Sequence, residues 1–276
     1  MNRMATTFSN RIPLRSTRVV QPLILVPLLT TLVFLALPWS VEHKAHMALH
    51  GLCAQRPSHT YTFDGRLLPF DARMTGIYSG FLFTALVLFL NGAHRWCRPP
   101  SISRLAVLGV LGGVMAIDGF NSFLKDLAVP YLYEPKNWLR LVTGMTSGIV
   151  LGFALCFLIA SSVWKSVDTR RQTLDQLRSI PVIILLWTPI GLAIMSGWGP
   201  LYAPLTLMFV FAAALALTML SLVILVILRK RDFTFAGVQN LGGYGLAAIA
   251  LAVVLMGLLS VGRTLLERSV GGTPLT

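Results

Sequence analysis

Charged side chains are scarce in this sequence: Asp, Glu, Lys and Arg make up 12% of its 276 residues, against about 25% in a typical soluble domain. Acidic residues are the rarest of these, with ten Asp and Glu against 23 Lys and Arg, while hydrophobic residues make up 55%. Long uncharged runs together with so little charge exclude an ordinary soluble globular protein and indicate a membrane protein.

The excess of basic residues gives a formal net charge of +13, which in a soluble protein would suggest nucleic-acid binding. Here the Lys and Arg residues are scattered in the short segments between apolar runs. A nucleic-acid surface needs them clustered on one soluble face. We therefore predict no nucleic-acid partner and interpret the basic residues as topology signals.

Cysteine and catalytic motifs are nearly absent. The three cysteines, Cys53, Cys97 and Cys156, fall on different sides or depths of the predicted membrane protein, so no intramolecular disulfide is expected. The sequence has no Cys-x-x-Cys pair, P-loop, HExxH, dinucleotide fingerprint, nucleophile elbow or Ser-His-Asp order. ATP-driven transport by this chain alone is therefore not expected, and no reaction class or cofactor is indicated.

Seven apolar runs approach the length of about 20 residues that a helix needs to cross a bilayer. They predict an all-α, polytopic transmembrane helix bundle of about seven spans. The runs are Val19–Leu37, Ile77–Leu90 (beginning near Met74), Leu105–Phe123, Leu139–Trp164, Ile180–Trp198, Leu201–Leu228 and Leu241–Val261. The first run also resembles a signal peptide, but no small-x-small cleavage site follows it, which favours a retained helix.

The distribution of Lys and Arg predicts a cytoplasmic N-terminus and an extracytoplasmic C-terminus in the inner or plasma membrane. In this orientation the cytoplasmic segments hold 14 of the 23 basic residues in short clusters. The predicted organisation is a basic tail (1–18), a four-span half (19–164) with an extracytoplasmic polar loop (39–75), a cytoplasmic linker (165–179), a three-span supporting bundle (180–262) and a tail (263–276).

The polar loop and the start of the next span, His43–Tyr78, contain four of the five histidines. His43, His46, His50 and Cys53 are spaced by 3, 4 and 3 residues, which places them on one face of a helix. Imidazole and thiolate bind zinc, copper or haem iron, so this face is a candidate metal site. The alternative is an amphipathic helix on the membrane surface with no metal.

Asp118 follows a long apolar run and lies within the predicted third span, where an unpaired carboxylate is costly. Arg140 enters the fourth span from the same side, so the sequence predicts an Asp118–Arg140 pair. Gly109 and Gly113 on one span, with a four-residue glycine repeat beginning at Gly144 on the next, predict close packing of these two helices. Such a pair either fixes the geometry of the bundle or forms part of a polar pocket.

Arginines near this pair predict binding of an anion, because guanidinium groups match phosphate oxygens. The alternative is that they are ordinary arginines of the membrane interface. The predicted ligand-binding residues are Gln55, Arg56, Arg73, Asp118, Asn137 and Arg140.

Four segments of the sequence resemble the domain-of-unknown-function 2085 (DUF2085) family of membrane proteins. They are Cys53–Tyr61, Ala72–Tyr78, Asp118-Gly119 and Asn137–Gly144. The resemblance covers about residues 45–160 and implies the membrane architecture, but it implies no established activity.

This chain departs from the family pattern mainly at thiol and imidazole positions. Ala54 stands where the family has His, and His59 stands where it has Arg. Asp71 and Met74 replace a later pair of cysteines. A thiol-based feature of the family would therefore be lost here or rebuilt from other side chains.

Three functions remain open from the sequence. The first is a protein with an outward-facing polar pocket for an anionic lipid headgroup or a small polar ligand. The second is a structural or assembly subunit of a membrane complex, with other membrane proteins as partners. The third is a metal- or redox-linked accessory protein. In each case the lipid bilayer is the surrounding partner.

Overall fold

The computed structural model describes residues 38–269, and within that range the fold is almost entirely helical. One short hairpin, β1 (Thr62–Phe63) and β2 (Arg66–Leu67), is antiparallel with Thr62 opposite Leu67. The helices are α1 (Val41–Leu49), α2 (Ala72–Leu90), α3 (Ile102–Asp126), α4 (Asn137–Ser162), α5 (Ile180–Ser196), α6 (Tyr202–Leu228) and α7 (Gly242–Ser269).

Six helices within residues 38–269, α2 to α7, are long and apolar enough to cross a membrane. They confirm the predicted all-α, polytopic membrane bundle, and each overlaps one predicted span. The remaining predicted span, Val19–Leu37, lies outside the described residues. The orientation of the termini and the division into two halves stay predictions.

Consecutive spans alternate in direction, so the polar segments collect at two ends of the bundle. At one end, which we call the loop end, Asn137 Nδ2 donates to Ser58 O at 3.4 Å and Tyr202 OH donates to Leu67 O at 3.2 Å. At the opposite end, Cys97 N donates to Asp168 O at 3.1 Å. The segments between α2 and α3, α4 and α5, and α6 and α7 therefore meet away from the loop end.

The centre of the bundle is the contact between α2 and α4, which glycines make close. A Cβ added to Gly144 would lie 2.2 Å from Arg73 O, and one added to Gly148 would lie 2.2 Å from Ile77 O. On the facing helix, a Cβ added to Gly76 would lie 2.2 Å from Leu141 O. The two backbones are therefore in direct contact, as small-xxx-small sequences allow.

The sequence predicted that the glycines of α4 pack against those of α3, and this choice of partner helix is wrong. Gly109 and Gly113 of α3 have no atom within 4 Å of an added Cβ. The glycine repeat of α4 packs on α2 instead, because α2 carries its own small residues, Gly76 and Gly80, at the matching four-residue spacing.

The other spans surround this central pair. Helix α6 packs against both α2 and α4, α3 packs on α4, α5 packs on α2, and α7 packs on α6. A buried hydrogen bond joins α5 to α2, in which Trp187 Nε1 donates to Ser79 Oγ at 2.8 Å. These contacts fix the start of α2, the end of α3 and the start of α4 side by side at the loop end.

The loop end is also tied to the last helix. Arg263 of α7 donates from its guanidinium to His50 O at 2.6 Å, to Ala54 O at 2.9 Å and to Cys53 O. Its Nε donates to Glu267 Oε1, one turn further along α7, at 2.7 Å. This one side chain satisfies three backbone carbonyls of the segment that follows α1.

Candidate functional site

Asp118 is the most deeply buried carboxylate at the loop end, with 1% of its surface exposed. Arg73 Nη2, from the first turn of α2, donates to Oδ2 at 2.6 Å. Thr143 Oγ1 of α4 donates to the same oxygen at 3.2 Å, and Tyr133 OH, from the α3–α4 loop, donates to Oδ1 at 2.9 Å. Three structural elements therefore converge on one carboxylate of α3.

The partner of Asp118 is Arg73, so the predicted Asp118–Arg140 pair is wrong. Helix α2 begins at Ala72, several residues before the apolar run at Ile77. This places Arg73 inside the helix and within reach of α3. Arg73 Nη2 also donates to Ser122 Oγ, one turn along α3 from Asp118, at 3.2 Å. The result is a hydrogen-bonded network between α2, α3, α4 and the α3–α4 loop, in which only the buried Nε of Arg73 has no partner among the described residues.

Asn121 holds the α3–α4 loop in place over this network. Its Oδ1 accepts from Leu132 N at 2.7 Å and from Tyr133 N at 3.3 Å, and its Nδ2 donates to Tyr133 O at 2.8 Å. Burial, followed by the hydrogen bond to Asp118, raises the pKa of Tyr133 to about 12. The phenol therefore keeps its proton and remains a donor to Asp118.

Arg140, freed from Asp118, lies beside a cleft. Only 5% of its surface is exposed. Its Nη1 donates to Asn137 Oδ1 at 2.9 Å, whereas its buried Nε has no hydrogen-bond partner. Within residues 38–269, Arg140 forms no ion pair with a carboxylate. Arg73 repels it electrostatically, whereas the more distant Asp118 and Asp126 attract it.

The cleft beside Arg140 has a volume of about 470 Å³. The ends of α3 and α4, the 3-10 turn Pro57–His59 and the last residues of the α3–α4 loop form its walls. Its lining residues are Ser58, His59, Lys125, Asp126, Pro135, Lys136, Asn137 and Arg140. Cationic and hydrogen-bond-donating groups outnumber the single carboxylate in this lining.

The carboxylates near the cleft are already paired. Asp126 accepts from Arg56 Nη1, and Lys125 Nζ donates to Glu134 Oε1. His59 Nε2 lies 4.0 Å from Asp126 Oδ1. Burial, followed by repulsion from Arg140, lowers the pKa of His59 from its usual value, which favours the neutral imidazole.

The six predicted ligand-binding residues are therefore divided among three places. Asn137 and Arg140 line the cleft, and Arg56 lies at its rim. Arg73 and Asp118 form the hydrogen-bonded network on the α3 side.

Gln55, the sixth of these residues, makes hydrogen bonds that hold two segments of the fold together. Its Nε2 donates to His46 O and to Pro69 O, both at 3.0 Å. Its Oε1 lies 3.2 Å from His50 Nδ1. Gln55 thus joins α1 to the segment that precedes α2.

The four predicted metal ligands do not converge. Helix α1 ends at Leu49, where a 3-10 turn begins, and Cys53 is extended, so the assumed continuous helical face stops after His46. His50 Nε2 is 3.2 Å from Glu267 Oε2, and His46 Nδ1 is 2.9 Å from Glu42 O. Between residues 38 and 269, no three His, Cys, Asp or Glu side chains are grouped to hold a metal. The metal site stays a prediction without geometric support.

Cys53 is buried between α1 and the start of α2. Its Sγ accepts from Gln55 N at 3.4 Å and from Asp71 N at 3.3 Å. Burial, followed by the negative charge of Asp71, raises the pKa of Cys53 to about 12. The group is thus an unreactive thiol rather than a thiolate nucleophile or ligand.

Sequence reasoning missed two residues of the site, because both lie on the α3–α4 loop. Lys136 lines the cleft, and Tyr133 bonds to Asp118. The only available signal was their position shortly before the segment of family resemblance at Asn137–Gly144.

Comparisons with known proteins agree with this architecture. A family model described as a predicted membrane protein (DUF2085) matches residues 53–154, which we call the family segment. An uncharacterised protein of Methanothermobacter thermautotrophicus is 30% identical over 105 residues, which are 38% of this chain and 85% of the relative. No solved structure matches the chain. With the family motif, the apolar helices and this relative in agreement, the chain belongs to the DUF2085 family of predicted membrane proteins.

Proposed function

We propose that this membrane protein binds an oxyanion, of the phosphate type, in the cleft beside Arg140. The observation that carries the proposal is the state of Arg140 itself: a guanidinium with 5% exposure, a buried Nε without a partner and no ion pair within residues 38–269. Burying a charge without a direct ion pair is costly, and the more distant carboxylates Asp118 and Asp126 offset that cost only in part. A bound anion would offset that cost.

The groups around Arg140 suit an anion with several oxygens. A guanidinium donates in a fixed fork that matches phosphate, and Lys136 and Asn137 add an ammonium and an amide on the same cleft wall. The single carboxylate in the lining, Asp126, is paired to Arg56, which partly offsets its negative charge.

The size of the cleft indicates a ligand larger than a bare ion. A volume of about 470 Å³ falls within the range of about 300–1,000 Å³ that is typical of small-molecule sites. The phosphate of a lipid headgroup and that of a small phosphorylated solute both fit this chemistry.

Replacing Arg140 with glutamine should abolish stabilisation by anions. Wild-type protein in detergent should unfold at a higher temperature when phosphate or sulfate is added. At an anion concentration a hundred times its Kd, the free energy of unfolding should rise by about 2.7 kcal/mol. The Arg140→Gln variant should show no such shift, and in anion-free buffer it should be no less stable than wild type, because an unpaired buried charge has been removed.

The matched control is Arg66→Gln, at the same end of the bundle, where the guanidinium stacks over the Tyr202 ring at 4.6 Å. This variant should keep the full anion response. If Arg140→Gln instead lowers the unfolding temperature in anion-free buffer, and wild type gains nothing from any anion, Arg140 is a packing residue and the binding proposal is wrong.

Anion binding should also strengthen as the pH falls, through His59. This is the only residue lining the cleft whose ordinary pKa lies between about pH 5 and 8. Its pKa is lowered in the free protein by burial and Arg140, and a bound anion would raise it. Affinity should therefore increase as the pH falls from the bound-state pKa to the lower free-state pKa, and level off outside that window.

Sulfate is the suitable probe for this dependence, because its own charge is constant over that range. In titrations of sulfate at several pH values, the affinity should rise as the pH falls for wild type and should not depend on pH for His59→Gln. Equal slopes in the two proteins would remove His59 from the site.

A further inference from the structure

The depth of the cleft in the membrane points to the source of its ligand. Helix α3 has 25 residues, or about 37 Å at 1.5 Å per residue, against about 30 Å of hydrocarbon. Its last residues, Lys125 and Asp126, line the cleft. If α3 spans the hydrocarbon, its excess length carries these two residues into the headgroup region.

Exposed tryptophans mark the same level. Trp39, Trp138 and Trp198 all lie at the loop end, with 57%, 49% and 62% of their surfaces exposed. Exposed tryptophan is typical of the interface between hydrocarbon and headgroups. Trp138 directly follows Asn137, which lines the cleft, so the cleft opens at headgroup depth.

The chain next to the cleft is apolar and exposed, unlike a loop that faces only water. Leu127, Val129 and Leu132 of the α3–α4 loop are 55%, 40% and 79% exposed, and Phe123 at the end of α3 is 56% exposed. Asn121 fixes this loop through Leu132 N and Tyr133 N. A ligand in the cleft therefore has a preformed apolar surface beside it.

We infer that the anion bound in the cleft is the headgroup of an anionic glycerophospholipid, whose acyl chains lie along Phe123 and the α3–α4 loop. This inference rests on the proposed function and names its ligand class. The nearby carboxylates Asp126 and Glu134 are already paired to Arg56 and Lys125. Neither of these two carboxylates is free to pair with the ammonium of a zwitterionic headgroup, which favours a lipid with net negative charge.

The test compares three probes added to the full chain in detergent. These are dioctanoyl phosphatidylglycerol, dioctanoyl phosphatidylcholine and glycerol 3-phosphate, with the unfolding temperature as the measurement. Phosphatidylglycerol should bind at least about tenfold more tightly than glycerol 3-phosphate, which corresponds to the burial of two or more methylene groups. Phosphatidylcholine has the same chains and controls for non-specific uptake from the micelle.

Two variants separate the chain contacts from the headgroup contacts. Leu132→Ser should weaken the binding of phosphatidylglycerol about tenfold, towards the affinity for glycerol 3-phosphate, and should leave the affinity for glycerol 3-phosphate unchanged. Arg140→Gln should weaken the binding of both probes. The control is Leu228→Ser, which is 72% exposed at the opposite end and should affect neither.

The outcomes distinguish the two proposals. Equal affinity for phosphatidylglycerol and glycerol 3-phosphate would mean that a soluble anion occupies the cleft, which overturns the lipid inference and keeps the binding proposal. Equal affinity for phosphatidylglycerol and phosphatidylcholine would also overturn the inference. Failure of all three probes to bind would overturn the proposed function itself.

Discussion

Replacing Gly148 with alanine should strongly destabilise the contact between α2 and α4. The added Cβ would lie 2.2 Å from Ile77 O and 2.7 Å from Phe81 N. Both atoms are backbone, so neither can move aside without separating α2 from α4. We expect a loss of about 3 kcal/mol or more, or about 6–12 °C in the unfolding temperature.

Gly109→Ala on α3 is the matched control. A Cβ at that position has no neighbour within 4 Å, and alanine is favoured over glycine in a helix by about 1 kcal/mol. This variant should be as stable as wild type or slightly more stable. Equal losses in the two variants, measured by thermal unfolding in detergent, would contradict the α2–α4 contact and favour the α3–α4 packing that the sequence suggested.

Replacing Asp118 with asparagine should have the second large effect. The substitution keeps the shape of the side chain but leaves the charge of Arg73, which bonds to Asp118 at 2.6 Å in the native protein, without its counterion. Removal of one member of a fully buried pair costs about 3–5 kcal/mol, and the loss here should be somewhat smaller because the Arg73 side chain is 23% exposed. The unfolding temperature should fall accordingly.

A second substitution shows whether the cause is the unpaired charge. In the double variant with Arg73→Gln, no charge is left unpaired, so the double variant should be more stable than Asp118→Asn alone. Glu134→Gln, which removes an exposed ion pair with Lys125, should remain close to wild type. Additive losses in the double variant would mean that Arg73 and Asp118 act independently.

The spans could be predicted because they depend on composition alone. An apolar run of sufficient length has to cross the membrane as a helix, since only a helix satisfies its backbone there. The helix ends were less predictable: α2 starts at Ala72, two residues before the predicted start near Met74, because Asp71 accepts from Met74 N at 2.9 Å and caps the helix. That extension brings Arg73 to Asp118.

The choice of partner helices could not be predicted from one sequence. Two arginines, Arg73 and Arg140, enter the bundle from the same end, and only the rotation of α2 and α4 decides which one reaches Asp118. The glycine repeats are ambiguous in the same way, because the four-residue spacing that begins at Gly144 predicts a close helix contact but does not indicate which helix is the partner. Both answers depend on contacts between residues that are far apart in the sequence.

The cleft depends on still more distant residues. It joins His59, from a 3-10 turn, to Lys136, from a loop, and Arg140, from a helix. Each of these has an ordinary explanation when taken alone. Asn137 and Arg140 were predicted because they begin an apolar helix, where polar groups are conspicuous, whereas the loop residues stand among other polar residues and give no such signal.

The three hydrogen bonds from Arg263 to the carbonyls of His50, Cys53 and Ala54 bear on how this architecture is related to smaller members of its family. The carbonyls of Cys53 and Ala54 lie at the start of the family segment and that of His50 lies just before it, whereas Arg263 lies on the third helix beyond its end. A chain with the family segment but without α7 must satisfy them differently, from its own residues, from solvent or from a second subunit. Arg263 therefore couples the family segment to a helix that lies outside it.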